Sequence, residues 1–255
     1  MKVVGVVPMA GRATRLAEIS CSKEILPVEP PHGAYNDGEG PRAVCEYLLA
    51  KMHDAGVEHV FIILREGKWD IPAYLGDGSR AGLRLAYLMM GLPFGTPYSA
   101  DQAYPYLQQA IVTFGFPDMV LGPGNMFGNL LEYQKMKHAD IVLGLFPADR
   151  PEKVDMVEMS SNGKVKRIVI KPQSTDLHTT WGAAVWTPVF TRFMHEFLVS
   201  HQKTAEGGAE LFMGDIVQAG IKEGLGVYGL QVSELPFIDI GTADDLERAV
   251  RALDE

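Results

Sequence analysis

The stretch Val3-Val4-Gly5-Val6-Val7-Pro8-Met9-Ala10-Gly11-Arg12-Ala13-Thr14-Arg15-Leu16 decides the fold. A run of buried-strand character ends at a proline, and a turn of small residues with two arginines follows. A strand that feeds such a turn and then a helix is the opening of an α/β sheet. In an open sheet of that kind, ligands gather at the carboxyl ends of the strands. Ala10, Gly11, Arg12, Ala13 and Thr14 therefore form the first place to look for chemistry: small residues let backbone N–H groups approach phosphate, and Arg12 and Arg15 supply forked cations.

Working outward, Pro27 to Pro41 is rich in proline and glycine and reads as a long irregular excursion. The spacing of Val44, Tyr47, Leu48, Met52 and Ala55 predicts a helix over 42–55, stopped by Gly56. Strands are predicted at 59–64, 84–89, 111–116 and 140–146, with helices at 99–110 and 126–138. The alternation implies a mostly parallel sheet with right-handed crossovers. Beyond residue 150 the pattern changes. Ser161-Asn162-Gly163 joins two short strands, 154–159 and 164–170, as a hairpin. A short strand at 183–186, helices at 189–200 and 211–223, strands at 227–232 and 237–240, and a last helix at 243–253 complete the reading. No linker separates these parts. The expected architecture is one domain over 1–255, an α/β fold with a mixed, mostly parallel sheet sandwiched by helices and an added antiparallel hairpin region. Residues 1–150 carry the strand–helix alternation and 151–255 the antiparallel additions.

Composition limits the functions. The chain of 255 residues is 47% hydrophobic and 22% charged, enough for a sizeable core. Its net charge of −9 argues against a nucleic-acid binder, which would carry a basic face. The two cysteines, Cys21 and Cys45, fit neither a disulfide framework nor a zinc knuckle. No apolar run is long enough for a membrane span, and the N-terminus lacks a signal-peptide pattern. A cytoplasmic location, no membrane partner and compatibility with a homo-oligomer are the expectations.

Two further strand ends carry carboxylates. Pro117-Asp118 follows the 111–116 strand, and Asp239-Ile240-Gly241-Thr242 ends a late one. With Arg15 and Lys23 near the first turn, they make a set suited to a metal-bound polyphosphate, since Asp oxygens are hard ligands for Mg²⁺. Taken singly, each has a plainer reading: Arg15 and Lys23 as solvated surface residues, Asp118 as a turn or cap residue, and Asp239 as the end of a strand. A dinucleotide-binding loop fails on spacing, because no G-x-G-x-x-G follows the first strand. A P-loop is absent too, as no Gly-Lys-Ser/Thr occurs.

Pro8-Met-Ala-Gly-Arg-Ala-Thr-Arg-Leu16 and Ser22-Lys-Glu-Ile-Leu-Pro-Val28 resemble the signature of sugar-1-phosphate nucleotidylyltransferases, most closely the glucose-1-phosphate thymidylyltransferases. Leu75-Gly-Asp-Gly-Ser79, Ile170-Lys171-Pro172, Trp181-Gly182 and the acidic pair Glu210 and Asp215 resemble further segments of that family. The resemblance implies a nucleotide-diphospho-sugar transferase fold, with about 1–150 as its nucleotide-binding half and about 151–255 as its sugar-phosphate half. It also implies Mg²⁺-dependent transfer from a nucleoside triphosphate to a sugar 1-phosphate with release of pyrophosphate. Arg15, Lys23 and Lys171 would be catalytic, and Asp118 and Asp239 would hold the metal. Residues 10–14 and Met90 would meet the nucleotide, and Lys171, Gly182 and Glu210 the sugar phosphate. Three departures stand out. Ala10 and Ala13 replace loop glycines, Met90 stands where a base-reading Gln would, and Ile170 replaces a sugar-binding Glu. They leave two alternatives open: a non-catalytic relative that binds a nucleotide or nucleotide-sugar, and a transferase with a non-sugar phosphate acceptor.

Overall fold

The computed structural model describes residues 1–11, 21–28, 41–91, 95–122, 124–205 (backbone only at 202–205), 210–241 and 245. The strands are β1 (Lys2–Pro8), β2 (Pro27–Val28), β3 (Arg42–Ala43), β4 (His59–Arg65), β5 (Arg84–Met90), β6 (Ala110–Gly115) and β7 (Met119–Val120). They continue with β8 (Ile141–Pro147), β9 (Met156–Met159), β10 (Val165–Val169), β11 (Thr179–Trp186), β12 (Val227–Gln231) and β13 (Ile238–Asp239). The helices are α1 (Val44–Asp54), α2 (Asp70–Leu75), α3 (Thr96–Asp101), α4 (Tyr104–Leu107), α5 (Met126–Lys137), α6 (Pro188–Ala205) and α7 (Met213–Lys222).

A nine-stranded sheet organises these elements. Strands β5, β4, β1 and β6 run parallel in that order. The long β11 lies antiparallel to β6 on one edge and to β8 on the other, and β12 lies parallel to β8. The β9–β10 hairpin joins at the start of β11, where Thr180 faces Met156. The mixed, mostly parallel sheet with an antiparallel hairpin is therefore present.

Alternation along the strands gives each face its own core. Val4 and Val6 of β1, Val112 and Phe114 of β6, and Trp186 pack with Phe190, Met194, Ile216 and Val217 of α6 and α7. Val7, Val60, Ile62 and Leu64 pack on the other face with Leu48, Leu49 and Met52 of α1 and with Leu130 of α5. Two glycines let α1 lie close on the sheet. A Cβ at Gly5 would press on Met52 and Val60, and one at Gly115 would press on Leu48.

Several element boundaries differ from the sequence expectation. The helix expected at 42–55 begins at Val44, because Arg42 and Ala43 pair with Pro27 and Val28 and so close the Pro/Gly-rich excursion. The helix expected at 99–110 is two short pieces, with Pro105 inside the second and Ala110 already in β6. The strand expected at 183–186 runs from Thr179, since it is flanked on both edges. Helix α2 was not foreseen. The last helix expected at 243–253 lies outside the described residues, apart from Asp245.

Candidate functional site

The turn after β1 leaves the sheet at its carboxyl edge. Met9 donates its N–H to the Ile63 carbonyl of β4 at 2.8 Å, which holds the chain between the two strands before it turns. Ala10 is buried and has no positive φ, so the alanine carries no backbone strain there. Gly11 is exposed, and a Cβ on it would meet none of the described residues. Arg12, Ala13, Thr14 and Arg15 lie outside the described residues.

Asp118 and Asp239 are brought together by a small antiparallel pair, β7 with β13. In it Asp239 faces Met119, and the Ile240 N–H donates to the Asp118 carbonyl at 3.0 Å. Lys23, on a single 3-10 turn over Lys23–Ile25, forms an ion pair with the Asp118 carboxylate. Burial pulls the Lys23 ammonium down, but the charge and hydrogen bond of Asp118, with Glu24 and Asp239 behind, outweigh it and leave the pKa raised. Asp239 is pushed up to about 6, first by burial and then by the charges of Asp118 and Asp245. The Gly241 N–H, donating to its Oδ1 at 2.7 Å, and Lys23 act the other way.

Two partly buried carboxylates close enough to oppose each other's ionisation are a donor set that a hard divalent cation relieves, so Asp118 and Asp239 fit Mg²⁺. Among the described residues no group of three or more His, Cys, Asp or Glu side chains closes a metal cage. Mg²⁺ commonly takes one or two carboxylates and completes its shell with substrate phosphates and water.

The Lys23 turn is too short to hold its own direction, and its neighbours fix it. On one side Ser22 donates from its N–H and its hydroxyl to Asp70 at 2.6 and 2.8 Å. On the other, fully buried Glu24 accepts from buried Lys68 at 2.6 Å. Lys68 and Asp70 belong to the segment that follows β4, so the turn is clamped to the sheet twice. Sequence reasoning did not find these clamps. A lysine in a Gly-Lys-Trp turn reads as solvated, and no local pattern ties it to a glutamate 44 positions away.

The second half of the site gathers at the end of β10. Lys171 has a left-handed backbone, φ 38°, which is uncommon for a residue with a Cβ. Its Nζ lies 3.7 Å from the centre of the Phe212 ring. Asp155, just before β9, senses the Lys171 charge. Burial, opposed by Lys171 and reinforced by Asp215, pushes Asp155 up to about 6. Asp215 itself caps α7, accepting from the Phe212 N–H at 2.8 Å.

The remaining candidates are dispersed. Glu210 is exposed on the approach to α7. Gly182 forms a bulge in β11, where the pairing shifts between Trp181 and Ala183. A Cβ there would meet Phe237 at 3.1 Å and Leu121 at 3.2 Å, so its open side faces packed apolar groups. Met90 ends β5 opposite Arg65, on the same sheet edge as the first turn, and is partly buried against the core.

Lys23, Asp118 and Asp239 thus converge beyond the carboxyl end of β6 on an α/β scaffold, a lysine and two carboxylates of the kind that suits a metal-bound polyphosphate. The profile of the nucleotidyl transferase family matches residues 4–255, and the chain belongs to that family. It is 23% identical over 248 residues to the low-salt glycan biosynthesis nucleotidyltransferase of Haloferax volcanii, covering 96% of this chain and 64% of that protein. It is 26% identical to a glucose-1-phosphate thymidylyltransferase of Streptomyces griseus, covering 92% of this chain and 62% of that protein. Against the corresponding Neisseria gonorrhoeae enzyme it is 25% identical, with 96% of this chain and 80% of that one covered. The chain thus spans under two thirds of the first two relatives. A Bacillus anthracis protein assigned as a glucose-1-phosphate thymidylyltransferase and crystallised with sucrose shares the fold. Its TM-score is 0.78 at 19% identity, over 97% of this chain and 93% of that one. Among the described residues no helix is long and apolar enough to cross a membrane.

Proposed function

We propose that the protein transfers a nucleotidyl group from a nucleoside triphosphate to a sugar 1-phosphate and releases pyrophosphate. The observation that carries this reading is the convergence of Lys23, Asp118 and Asp239 beside the turn that ends β1. The relatives named as glucose-1-phosphate thymidylyltransferases support the acceptor class.

In this reading an oxygen of the acceptor phosphate attacks the α-phosphorus in line, the bond to the bridging oxygen breaks, and pyrophosphate leaves. Lys23 lies near the α-phosphate and neutralises charge there. Arg15 grips the departing β- and γ-phosphates. Lys171 holds the acceptor phosphate. The backbone at Ala10, Gly11, Arg12, Ala13 and Thr14 approaches the nucleotide phosphates, and Met90 packs on the base. Asp118 and Asp239 would hold Mg²⁺, which supplies charge neutralisation across the nucleotide phosphates. No covalent intermediate is required, so positioning and electrostatics carry the rate. The test is pyrophosphate release from the common nucleoside triphosphates against a panel of sugar 1-phosphates with Mg²⁺. Release only in the presence of an acceptor supports the reading, and no release with any pair refutes it.

A further inference from the structure

Lys171 and Asp155 face each other without closing an ion pair. They are near enough for the lysine's charge to act on the carboxylate, yet among the described residues no salt bridge joins them. The Lys171 ammonium rests on the Phe212 ring instead. The Asp155 Oδ1 is fully buried and has no hydrogen-bond partner among the described residues. A buried acceptor left unpaired is costly and rare in folded proteins. The other oxygen is accommodated by Gly214 of α7, where a Cβ would collide with Asp155 Oδ2 and press on Ile170. The surroundings therefore make room for this carboxylate and leave one of its oxygens without a donor.

Among the described residues the neighbouring side chains do not supply one. Ile170 and Phe212 are apolar, and Asp215 is an acceptor already engaged with the Phe212 N–H. Lys171 is held in a left-handed conformation, and backbone outliers of that kind gather at functional sites. An open cation–anion pair is completed by a molecule that carries an anion for the lysine and a hydrogen-bond donor for the aspartate.

We infer that Asp155 is the residue that reads the acceptor. Its carboxylate, turning to present its unpaired oxygen, accepts a hydrogen bond from a hydroxyl or ammonium group on the same molecule whose phosphate Lys171 holds. The inference rests on the acceptor role proposed for Lys171 above and narrows it. The acceptor is a phosphate ester with an O–H or N–H donor close to its phosphate, and an ester whose only cation is a quaternary ammonium is excluded.

The test is a steady-state comparison of the wild type, Asp155→Ala and Asp155→Asn with glucose 1-phosphate, glucosamine 1-phosphate and phosphocholine as acceptors. The first two separate a hydroxyl source from an ammonium source. The third carries neither donor. The wild type should use at least one of the first two and reject the third. Asp155→Ala should raise KM for that acceptor about tenfold or more and leave KM for the nucleotide within about twofold, because a site built on a polar contact discriminates through that contact. Equal changes in both KM values, no change in either, or a wild-type preference for phosphocholine would overturn the inference while leaving nucleotidyl transfer standing. A wild type that releases no pyrophosphate with any acceptor removes the proposed function and this inference together. Circular dichroism of both variants confirms that the comparison is between folded proteins.

Discussion

Asp155→Asn should make the protein more stable at neutral pH, even as it weakens acceptor use. The carboxyl is held at about 6 in the fold, against 3.8 for an ordinary aspartate, chiefly by burial and further by Asp215, with Lys171 opposing. Because the folded value is the higher one, the native state binds more protons than the unfolded chain between those two values. Its contribution is therefore fully present below about pH 3.8 and is lost as the pH rises through about 6. At about 1.4 kcal/mol per unit, the ionised carboxylate costs the fold up to roughly 3 kcal/mol at pH 7.5. Partial solvent access reduces that, and about 1–2 kcal/mol is the expected gain for a neutral amide of the same shape.

The assay is urea unfolding of both proteins at about pH 5 and pH 7.5. All other titrating groups are shared, so they cancel in the difference. The advantage of Asp155→Asn should be larger at the higher pH by roughly 1 kcal/mol, with the urea dependence of the free energy unchanged. A difference that does not change with pH, or a variant less stable than wild type at pH 7.5, would show that the carboxylate already has a compensating partner in the folded protein. The stability gain paired with a loss of function would be a small instance of a site kept at the expense of the fold.

Lys68→Met should destabilise the protein by about 3–5 kcal/mol, since it strands Glu24 as a buried unpaired charge, and Glu24→Leu in the same chain should restore most of that in a denaturation curve. In the restored double variant, kcat should fall while both KM values stay near wild type, because the Lys23 turn has lost one of its clamps; an unchanged kcat would separate the clamp from catalysis. Asp118→Asn and Asp239→Asn should each lower pyrophosphate release by roughly 10²-fold, and full turnover in excess EDTA would refute a metal role for the pair. Met90→Gln should shift the kcat/KM ratio of dTTP over ATP by roughly 1–2 kcal/mol towards the pyrimidine, the scale of one or two net hydrogen bonds; an unchanged ratio would place Met90 away from the base.

The parts legible in the sequence are those whose cause is local. Val3 to Val7 could only be a buried strand, and Asn162-Gly163 could only be a tight turn between two strands. Gly56, with its φ of 78°, stops α1 where the pattern said it would. Asp118 and Asp239 were singled out because each stands at a predicted strand end, but what brings them together is the small β7–β13 pair, which no local pattern announces. The missed parts depend on distant partners. Helix α2 has six residues, too few for a periodic signal, and its start is fixed by Ser22 bonding to Asp70 across 48 positions. The clamp between Glu24 and Lys68 has the same character.

Asp155 is the instructive case. From the sequence it is one acidic residue near the start of a short strand expected at 154–159, no more marked than Glu152 or Glu158. What sets it apart is Gly214, whose missing side chain opens the space the carboxylate fills. Glycines are usually read in a sequence as turns or helix ends. Gly214 is neither a turn residue nor a helix stop: it is the second residue of α7, where an alanine would suit the helix better. A helix tolerates that loss where the space has another use. Here the use is to hold a carboxylate beside a strained lysine with one oxygen still free. If Asp155 reads the acceptor, that reading depends on the space Gly214 leaves for its carboxylate, and the test is Gly214→Ala. That substitution should displace Asp155 and raise the acceptor KM, with the nucleotide KM unchanged.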